Sequence, residues 1–362
     1  MDNSSLIKTP IAAELDDFKK LFDNSLTSSN FLLNEVISHI RQKNGKMMRP
    51  ILLLLVAKLY GRICPESLHA AVSLELLHTA SLVHDDVVDE STERRGQLSV
   101  NAIYNNKVAV LVGDYLLATA LVQVGKTHNY AIIDVVSRLG QNLSEGELLQ
   151  LSNVSNLQFS EEIYFDVIRK KTAVLFAACT KSGALSVGVT DEQAEFARQF
   201  GEYIGLCFQI KDDIFDYYDS KEIGKPTGND MLEGKLTLPV LYALNSTKDE
   251  SAEEIAVKVK NGTASADEIA RLIEFAKQQG GIEYAVQTMF AYKEKALSLL
   301  ASLPDSDVKA GLAAYLDYVV DRDKQSTKLT FYPRAFGTLR RKQEIADCFL
   351  EVLFAGIAHD LS

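Results

Sequence analysis

Two stretches carry the residues most able to do chemistry. Val83-His84-Asp85-Asp86-Val87-Val88-Asp89 and Gln209-Ile210-Lys211-Asp212-Asp213-Ile214-Phe215-Asp216 each hold three aspartates in Asp-Asp-x-x-Asp spacing. On a helix, residues three and four apart share a face. Asp85, Asp86 and Asp89 are therefore expected to point one way, and Asp212, Asp213 and Asp216 likewise. The flanks Leu74–Val83 and Tyr203–Ile210 are mostly apolar, as in helices buried on more than one side. Carboxylates crowded in such surroundings repel one another and are costly to desolvate unless a cation joins them. The hard cation suited to all-oxygen ligation is Mg²⁺, which keeps several waters and is usually shared with substrate phosphates. The pair of motifs predicts two helices facing each other across metal ions and a phosphorylated ligand. Two solvated acidic helix faces are the plainer alternative, and the apolar flanks count against it.

The cations between and around these motifs fit an anionic ligand. Lys46 and Arg49 are expected in the loop leading into the N-terminus of a helix that opens at Pro50, a residue well placed at a first helical position. Backbone N–H groups, the helix dipole and two cations there would make an anion site; an ordinary basic turn is the alternative. Arg94-Arg95 follows the first motif, and guanidinium forks match phosphate oxygens. Lys170-Lys171-Thr172 sits inside an apolar helical pattern, where a lysine needs either a partner or room to reach solvent. The loop Gly224–Asp230 lets backbone approach a phosphate, and Lys225 adds charge. His78 lies about two turns before Asp85; a lone histidine in an apolar helix is more often a core residue with a satisfied hydrogen bond.

The elements that must position these groups read as helices throughout. Helical spacing predicts elements near Leu15–Phe22, Phe31–Ile40, Ile51–Leu59, 68–90, Val108–Val124, Ile132–Leu151, Glu162–Val187, Ala194–Asp216 and onward from Leu238, with three or four more over 250–321 broken near Gly262 and Gly280-Gly281. No strand-like alternation, repeat or linker stands out before residue 322, so a single all-α domain is expected. Net charge of −11 argues against nucleic acid as partner. Cys64, Cys179, Cys207 and Cys348 have no paired spacing, which fits reduced thiols and a cytoplasmic protein. Met1–Ser5 shows no basic region leading into an apolar core, so no signal peptide is expected. The apolar run Ile51–Tyr60 is too short to span a bilayer, so no transmembrane segment is expected either.

Taken together, these motifs resemble the trans-polyprenyl diphosphate synthases, close to the long-chain octaprenyl and solanesyl type, from about residue 10 to about 324. The resemblance implies an isoprenoid synthase-type helical bundle with a central cavity over 1–324, and leaves 325–362 as a C-terminal extension. That extension has a basic segment, Lys324–Lys342, and an apolar helix, Glu344–Ala358, expected to cap the domain or a partner subunit. Lys46, Arg49, His78 and Arg95 match the family's isopentenyl diphosphate site, and Arg94 its allylic diphosphate ligand. Asp85, Asp86 and Asp89 match the first aspartate-rich motif; Gln209, Asp212, Asp213 and Asp216 match the second. Lys171 and Thr172 match the Lys-Thr pair, and Lys225 the lysine of the following loop. The resemblance implies Mg²⁺, three ions with substrate bound, held through Asp85, Asp89 and Asp212, and a homodimer. It departs at Asn44 and Met47, where the family has Gly and Arg, so one cation is missing near the isopentenyl site.

The implied reaction adds isopentenyl diphosphate head-to-tail to geranyl or farnesyl diphosphate, for a medium or long all-trans chain that serves a quinone. Chain length is expected to depend on the floor below the first motif, where Ala80 and Ser81 are small and Leu77 lies deeper. Three rivals remain. A class I terpene cyclase would not need a second diphosphate site. A His-Asp phosphohydrolase would use His84-Asp85 and leave the second motif unexplained. A non-catalytic partner subunit would have lost aspartates that are intact here.

Overall fold

The computed structural model describes residues 3–42, 47–94, 96–154, 158–218 and 227–322. Lys46 and Asn44, Arg95, Lys225 and the extension 325–362 lie outside the described residues. Residues Met1–Arg322 form one compact unit.

The chain begins with α1 (Asn3–Lys8), a 3-10 turn (Thr9–Ile11) and α2 (Ala12–Ser25). Then come α3 (Phe31–Gln42), α4 (Met48–Tyr60) and α5 (Pro65–Val88). A two-residue ribbon, β1 (Glu93–Arg94) with β2 (Gln97–Leu98), pairs antiparallel beyond α5, with Glu93 opposite Leu98. It is too short to show as an alternating pattern, and it corrects the expectation of no strand. Next are α6 (Val100–Tyr104), α7 (Asn106–Gly125), α8 (Tyr130–Val154) and α9 (Glu161–Ile168). A π-helical turn, Arg169–Ala173, joins α9 to α10 (Val174–Leu185), and α11 (Asp191–Phe215) follows. The rest are α12 (Asn229–Leu232), α13 (Leu238–Ser246), α14 (Glu250–Lys260), α15 (Ala266–Gln278), α16 (Gly281–Ala301) and α17 (Asp307–Asp321).

Local sequence accounts for the two helices that matter most. Pro65 opens α5 without sacrificing a helical N–H, and Cys64 with Ser67 closes a reciprocal cap there. Thr190 and Gln193 do the same for α11. Both helices then run 24 and 25 residues, long enough to carry an aspartate cluster from the core to the rim. Helix α4 is apolar all round, and Pro50 through Ala57 are all buried, which makes it a central strut. It begins at Met48, so Arg49 lies in its first turn rather than in the preceding loop, with Met47 left-handed at φ 51° just before it.

Packing places α5 against α7 and α4, and α10 against α11, α4 and α5. Helix α7 packs on α5 and buries Ala109, Val112, Gly113, Leu116 and Ala120, while Leu111, Leu121 and Val122 stay exposed. At 20 residues it is also long and apolar enough to cross a membrane by length and composition, a point not visible when only Ile51–Tyr60 is weighed. Only 39% of that apolar window is buried: one face packs on α5, and the opposite face carries the exposed Leu111, Leu121 and Val122.

Candidate active site

The first aspartate motif occupies the C-terminal end of α5. Asp85 is two-thirds buried, and that burial pushes its carboxyl up to about 6, opposed by the nearby Lys171 and reinforced by Glu147. Asp89 is exposed at the helix C-cap. Asp86 departs from the shared face. Adjacent helical residues are about 100° apart, and Asp86 turns inward, where Arg94 Nε donates to its Oδ1 at 2.7 Å. Arg94 on β1 is thus held in place by the motif it follows.

The second motif divides similarly. Asp212 remains 44% exposed and accepts from Arg322 Nη2 at 2.7 Å. Asp213 is buried, and its two oxygens accept from Gln209 Nε2 at 2.8 Å and from the Tyr164 hydroxyl at 2.5 Å. Burial, then the charge of Asp230, raises its pKa. Asp216 accepts from the backbone N–H groups of Asn229 and Asp230, both at 3.1 Å, and so ties the end of α11 to α12. The three aspartates therefore do three jobs instead of sharing one face.

Between the motifs, the π turn brings Lys171 and Thr172 inward. Thr172 Oγ1 donates to Gln209 Oε1 at 2.7 Å, which extends the chain Tyr164–Asp213–Gln209–Thr172 across two helices. Lys171 Nζ lies 2.5 Å from Glu147 and donates to Gln150 at 3.3 Å. Gly205 on α11 allows this approach, since a Cβ there would sit 2.5 Å from the Ala173 Cα. A cavity of about 170 Å³ opens here, lined in part by Lys171, Thr172, Gln209, Asp213, Asp230 and Lys235.

A second cavity, about 120 Å³, lies on the other side of α5 and is lined by Met47, His78, Asp86 and Arg94. His78 and Arg94 share a chamber although the resemblance matches them to different substrates, with the Met47 thioether where the family pattern has a cation. Arg49 lies elsewhere, 5.6 Å over the Phe176 ring. Phe176 packs against Phe208 with the rings tilted at 43°, and Arg322 lies 3.6 Å over Phe208, so an aromatic pair separates the two guanidinium groups. His84 points away from the site: its ring nitrogen is 3.2 Å from the Val110 carbonyl oxygen and 3.4 Å from Asp114 on α7. That orientation removes the His-Asp phosphohydrolase reading.

Several residues here escaped sequence reasoning. Lys235, Asp230, Tyr164, Glu147 and Arg322 all belong to the site. Lys235 pairs with Glu233 and feels Asp230 and Asp89, which raise its pKa against the opposing effect of burial. Asp230 is pushed up to about 7 by burial and by Asp216. A signal for these two exists in the run Asp230-Met231-Leu232-Glu233-Gly234-Lys235, which continues the Gly-rich loop. Tyr164 and Glu147 have none, since a tyrosine and a glutamate at helical spacing look like any others.

Among the described residues, no group of three or more His, Cys, Asp or Glu side chains converges on one point. Mg²⁺ in general takes one or two carboxylates and completes its shell with water and phosphate. Asp85, Asp89 and Asp212, all at least partly accessible, offer such all-oxygen donors.

Comparisons with known proteins agree with this architecture. A sequence profile of the polyprenyl synthetase family matches residues 30–276. Over 300 residues the chain is 34% identical to octaprenyl diphosphate synthase of Escherichia coli, covering 83% of this chain and 93% of that one. A crystal structure of geranylgeranyl pyrophosphate synthase from Bacteroides thetaiotaomicron is 66% identical, with a TM-score of 0.80, 89% of this chain covered and 100% of that one. A polyprenyl synthase from Caulobacter crescentus, solved with calcium and isoprenyl diphosphate, is 31% identical with a TM-score of 0.82, covering 88% and 97%. With a matching profile over most of its length and a shared all-α isoprenoid synthase fold, the chain belongs to the polyprenyl synthetase family, and it is a prenyltransferase.

Proposed function

We propose that the chain elongates an allylic diphosphate, geranyl or farnesyl, with isopentenyl diphosphate units to an all-trans product of roughly thirty to fifty carbons, a length that depends on an unplugged cavity floor. The observation that carries this reading is the cavity lined by Lys171, Thr172, Gln209, Asp213, Asp230 and Lys235, whose two lysines act on both motifs' surroundings: Lys171 on Asp85, and Lys235 with Asp89 and Asp230. The allylic diphosphate would lie there, with Arg94 and Lys225 adding positive charge. Isopentenyl diphosphate would be held by Lys46, Arg49, His78 and Arg95.

Asp85, Asp89 and Asp212 would hold Mg²⁺, three ions with substrate. When bound, Mg²⁺ supplies charge stabilisation for the leaving diphosphate. Lys171 and Lys235 add fixed positive charge to the same oxygens as the allylic C–O bond breaks. Thr172 and Gln209, locked through Asp213 and Tyr164, keep the diphosphate end still while the isopentenyl double bond attacks the freed carbon. The new C–C bond forms, a proton leaves the adjacent carbon, and the released diphosphate takes it. No protein base is required.

Ala80 is 2% exposed, Leu77 is 4% exposed and Ser81 is partly buried; the small side chains of Ala80 and Ser81 put no aromatic ring on this stretch of α5. Together with the likeness to octaprenyl diphosphate synthase, that supports a long product over one ending at the geranylgeranyl stage, the product in the name of the Bacteroides relative. The exposed Leu111, Leu121 and Val122 of α7 offer an apolar face for a second copy, supporting a homodimer. The free thiols Cys64, Cys179 and Cys207 support a cytoplasmic location. A quinone side chain is the proposed destination of the product.

The test is a product assay with isopentenyl diphosphate, farnesyl diphosphate and Mg²⁺, against EDTA and Asp85→Ala controls. A Mg²⁺-dependent ladder ending at one long prenyl alcohol is expected. A single geranylgeranyl product refutes the chain-length reading, and no elongation by folded protein refutes the activity.

A further inference from the structure

Helix α8 presses on the π turn at one point. A Cβ on Gly146 would meet the Lys170 Cβ at 3.0 Å and the Lys171 backbone nitrogen at 3.1 Å, tighter than most real contacts, so glycine lets the two backbones approach this closely without displacing either. The next residue, Glu147, puts its Oε2 2.5 Å from Lys171 Nζ. Gln150, one turn on, accepts from the same nitrogen at 3.3 Å. The Glu147 side chain is 18% exposed and that of Lys171 28%, so this pair is far less screened by water than the surface pairs of the chain.

Lys171 can serve only so many anions at once. Its ammonium has three donors, of which Glu147 and Gln150 already use two. A diphosphate arriving at Lys171 must share it with a carboxylate that is like-charged and close by. We propose that Glu147 is a positioning residue that acts as the resident counter-anion of Lys171, lowering the site's affinity for diphosphate so that inorganic diphosphate leaves after each addition. This rests on the reading that Lys171 holds the allylic diphosphate. Repeated elongation gives the device its purpose: each added unit releases one diphosphate, and a site that held it tightly would stall at every step. Glu147 is suited to the role because it lines neither of the two cavities yet pairs with Lys171, which does line one. It is carried by the long helix α8, and its reach to Lys171 is fixed by the Gly146 contact rather than by a flexible loop.

The test is calorimetric titration of inorganic diphosphate with Mg²⁺ into the full chain at fixed ionic strength. The variants are Glu147→Gln, Glu147→Asp, Lys171→Gln and the double variant Glu147→Gln/Lys171→Gln, with melting curves to check that each is folded. Glu147→Gln keeps the side chain's shape and an acceptor oxygen but removes the charge. It is expected to bind diphosphate about three- to tenfold tighter, the scale for a partly screened neighbouring charge. In steady state it should show a correspondingly lower inhibition constant for inorganic diphosphate and a lower kcat, with KM for the allylic substrate falling too. Glu147→Asp, its carboxylate set back by one methylene, should fall between the two. In the Lys171→Gln background the gain from Glu147→Gln should vanish, because the cycle isolates the pair. If Lys171→Gln weakens diphosphate but Glu147→Gln leaves affinity unchanged, the proposal is overturned while the role of Lys171 stands. A weaker complex for Glu147→Gln also overturns it and would group Glu147 with the cation-holding carboxylates. If Lys171→Gln binds diphosphate as well as the unaltered chain does, the reading of Lys171 fails, and the proposal falls with it.

Discussion

Asp85→Asn should make the empty protein more stable at neutral pH while abolishing elongation. Burial displaces the Asp85 carboxyl from an ordinary 3.8 to about 6, even with Lys171 nearby. At 1.36 kcal/mol per pH unit that displacement corresponds to ~3 kcal/mol of preference for the neutral form. About a third of the group still meets solvent, so the effect on stability is discounted to about 1–3 kcal/mol. The sign follows from linkage: a carboxyl raised in the folded state imposes no penalty below the unfolded pKa, and the penalty grows as pH rises through the folded value. The cost is thus absent near pH 4, develops up to about pH 6 and is full at pH 8. Asparagine carries no charge at either pH. Thermal melts at pH 8 should therefore show the variant higher by about 2–6 °C, a range scaled from domains somewhat smaller than this one. The gap should shrink as the pH is lowered toward 4.5. Added Mg²⁺ with inorganic diphosphate should stabilise the unaltered chain and not the variant, because only the former binds the pair well. An Asp85→Asn variant that melts at or below the unaltered chain at pH 8, or a gap that ignores pH, would refute the account of the site as a store of carboxylate strain relieved by cations.

Ser81→Phe should shorten the main product by placing a ring in the partly open space below Asp85, read by chromatography of the dephosphorylated alcohols; an unchanged length removes Ser81 from the floor. Ala80→Phe at a position 2% exposed should instead lower stability by about 1–3 kcal/mol through overpacking, measured by denaturant titration. Tyr164→Phe leaves the buried Asp213 with one hydrogen bond fewer and should cost about 1–3 kcal/mol, with kcat falling as Gln209 and Thr172 lose their fixed orientation; full activity would show that the relay holds nothing. Leu121→Glu, on the exposed face of α7, should convert a dimer to monomers on a sizing column, and a persistent dimer would place the interface elsewhere.

Much of the site was legible because its chemistry depends on residue types that stand out from their surroundings. Six aspartates in two apolar helices, an arginine pair and a Lys-Thr step are rare enough in such company to signal a metal–phosphate site, and helical spacing fixed which elements carry them. The helices themselves were legible because their apolar faces repeat at the helical period, whereas the reciprocal caps at Cys64 and Thr190 start α5 and α11 three residues before the apolar pattern shows them. The ribbon β1–β2 was not legible, because two residues per strand give no period to detect.

Tertiary structure decided how the aspartates divide their work. Spacing alone puts three carboxylates in one neighbourhood, but Arg94 turns Asp86 inward, Tyr164 and Gln209 bury Asp213, and the N–H groups of α12 claim Asp216. Apart from Gln209, one turn away on α11, those partners lie on other elements, so the local sequence could not assign them. The same holds for Arg322, 110 positions from Asp212 yet bonded to it, and for Glu147, which reaches Lys171 because Gly146 lets two helices touch. Sequence determined which groups could do the chemistry and on which helices they ride. Only packing determined which carboxylates remain free for a cation, since that depends on the donors that burial brings within hydrogen-bonding distance.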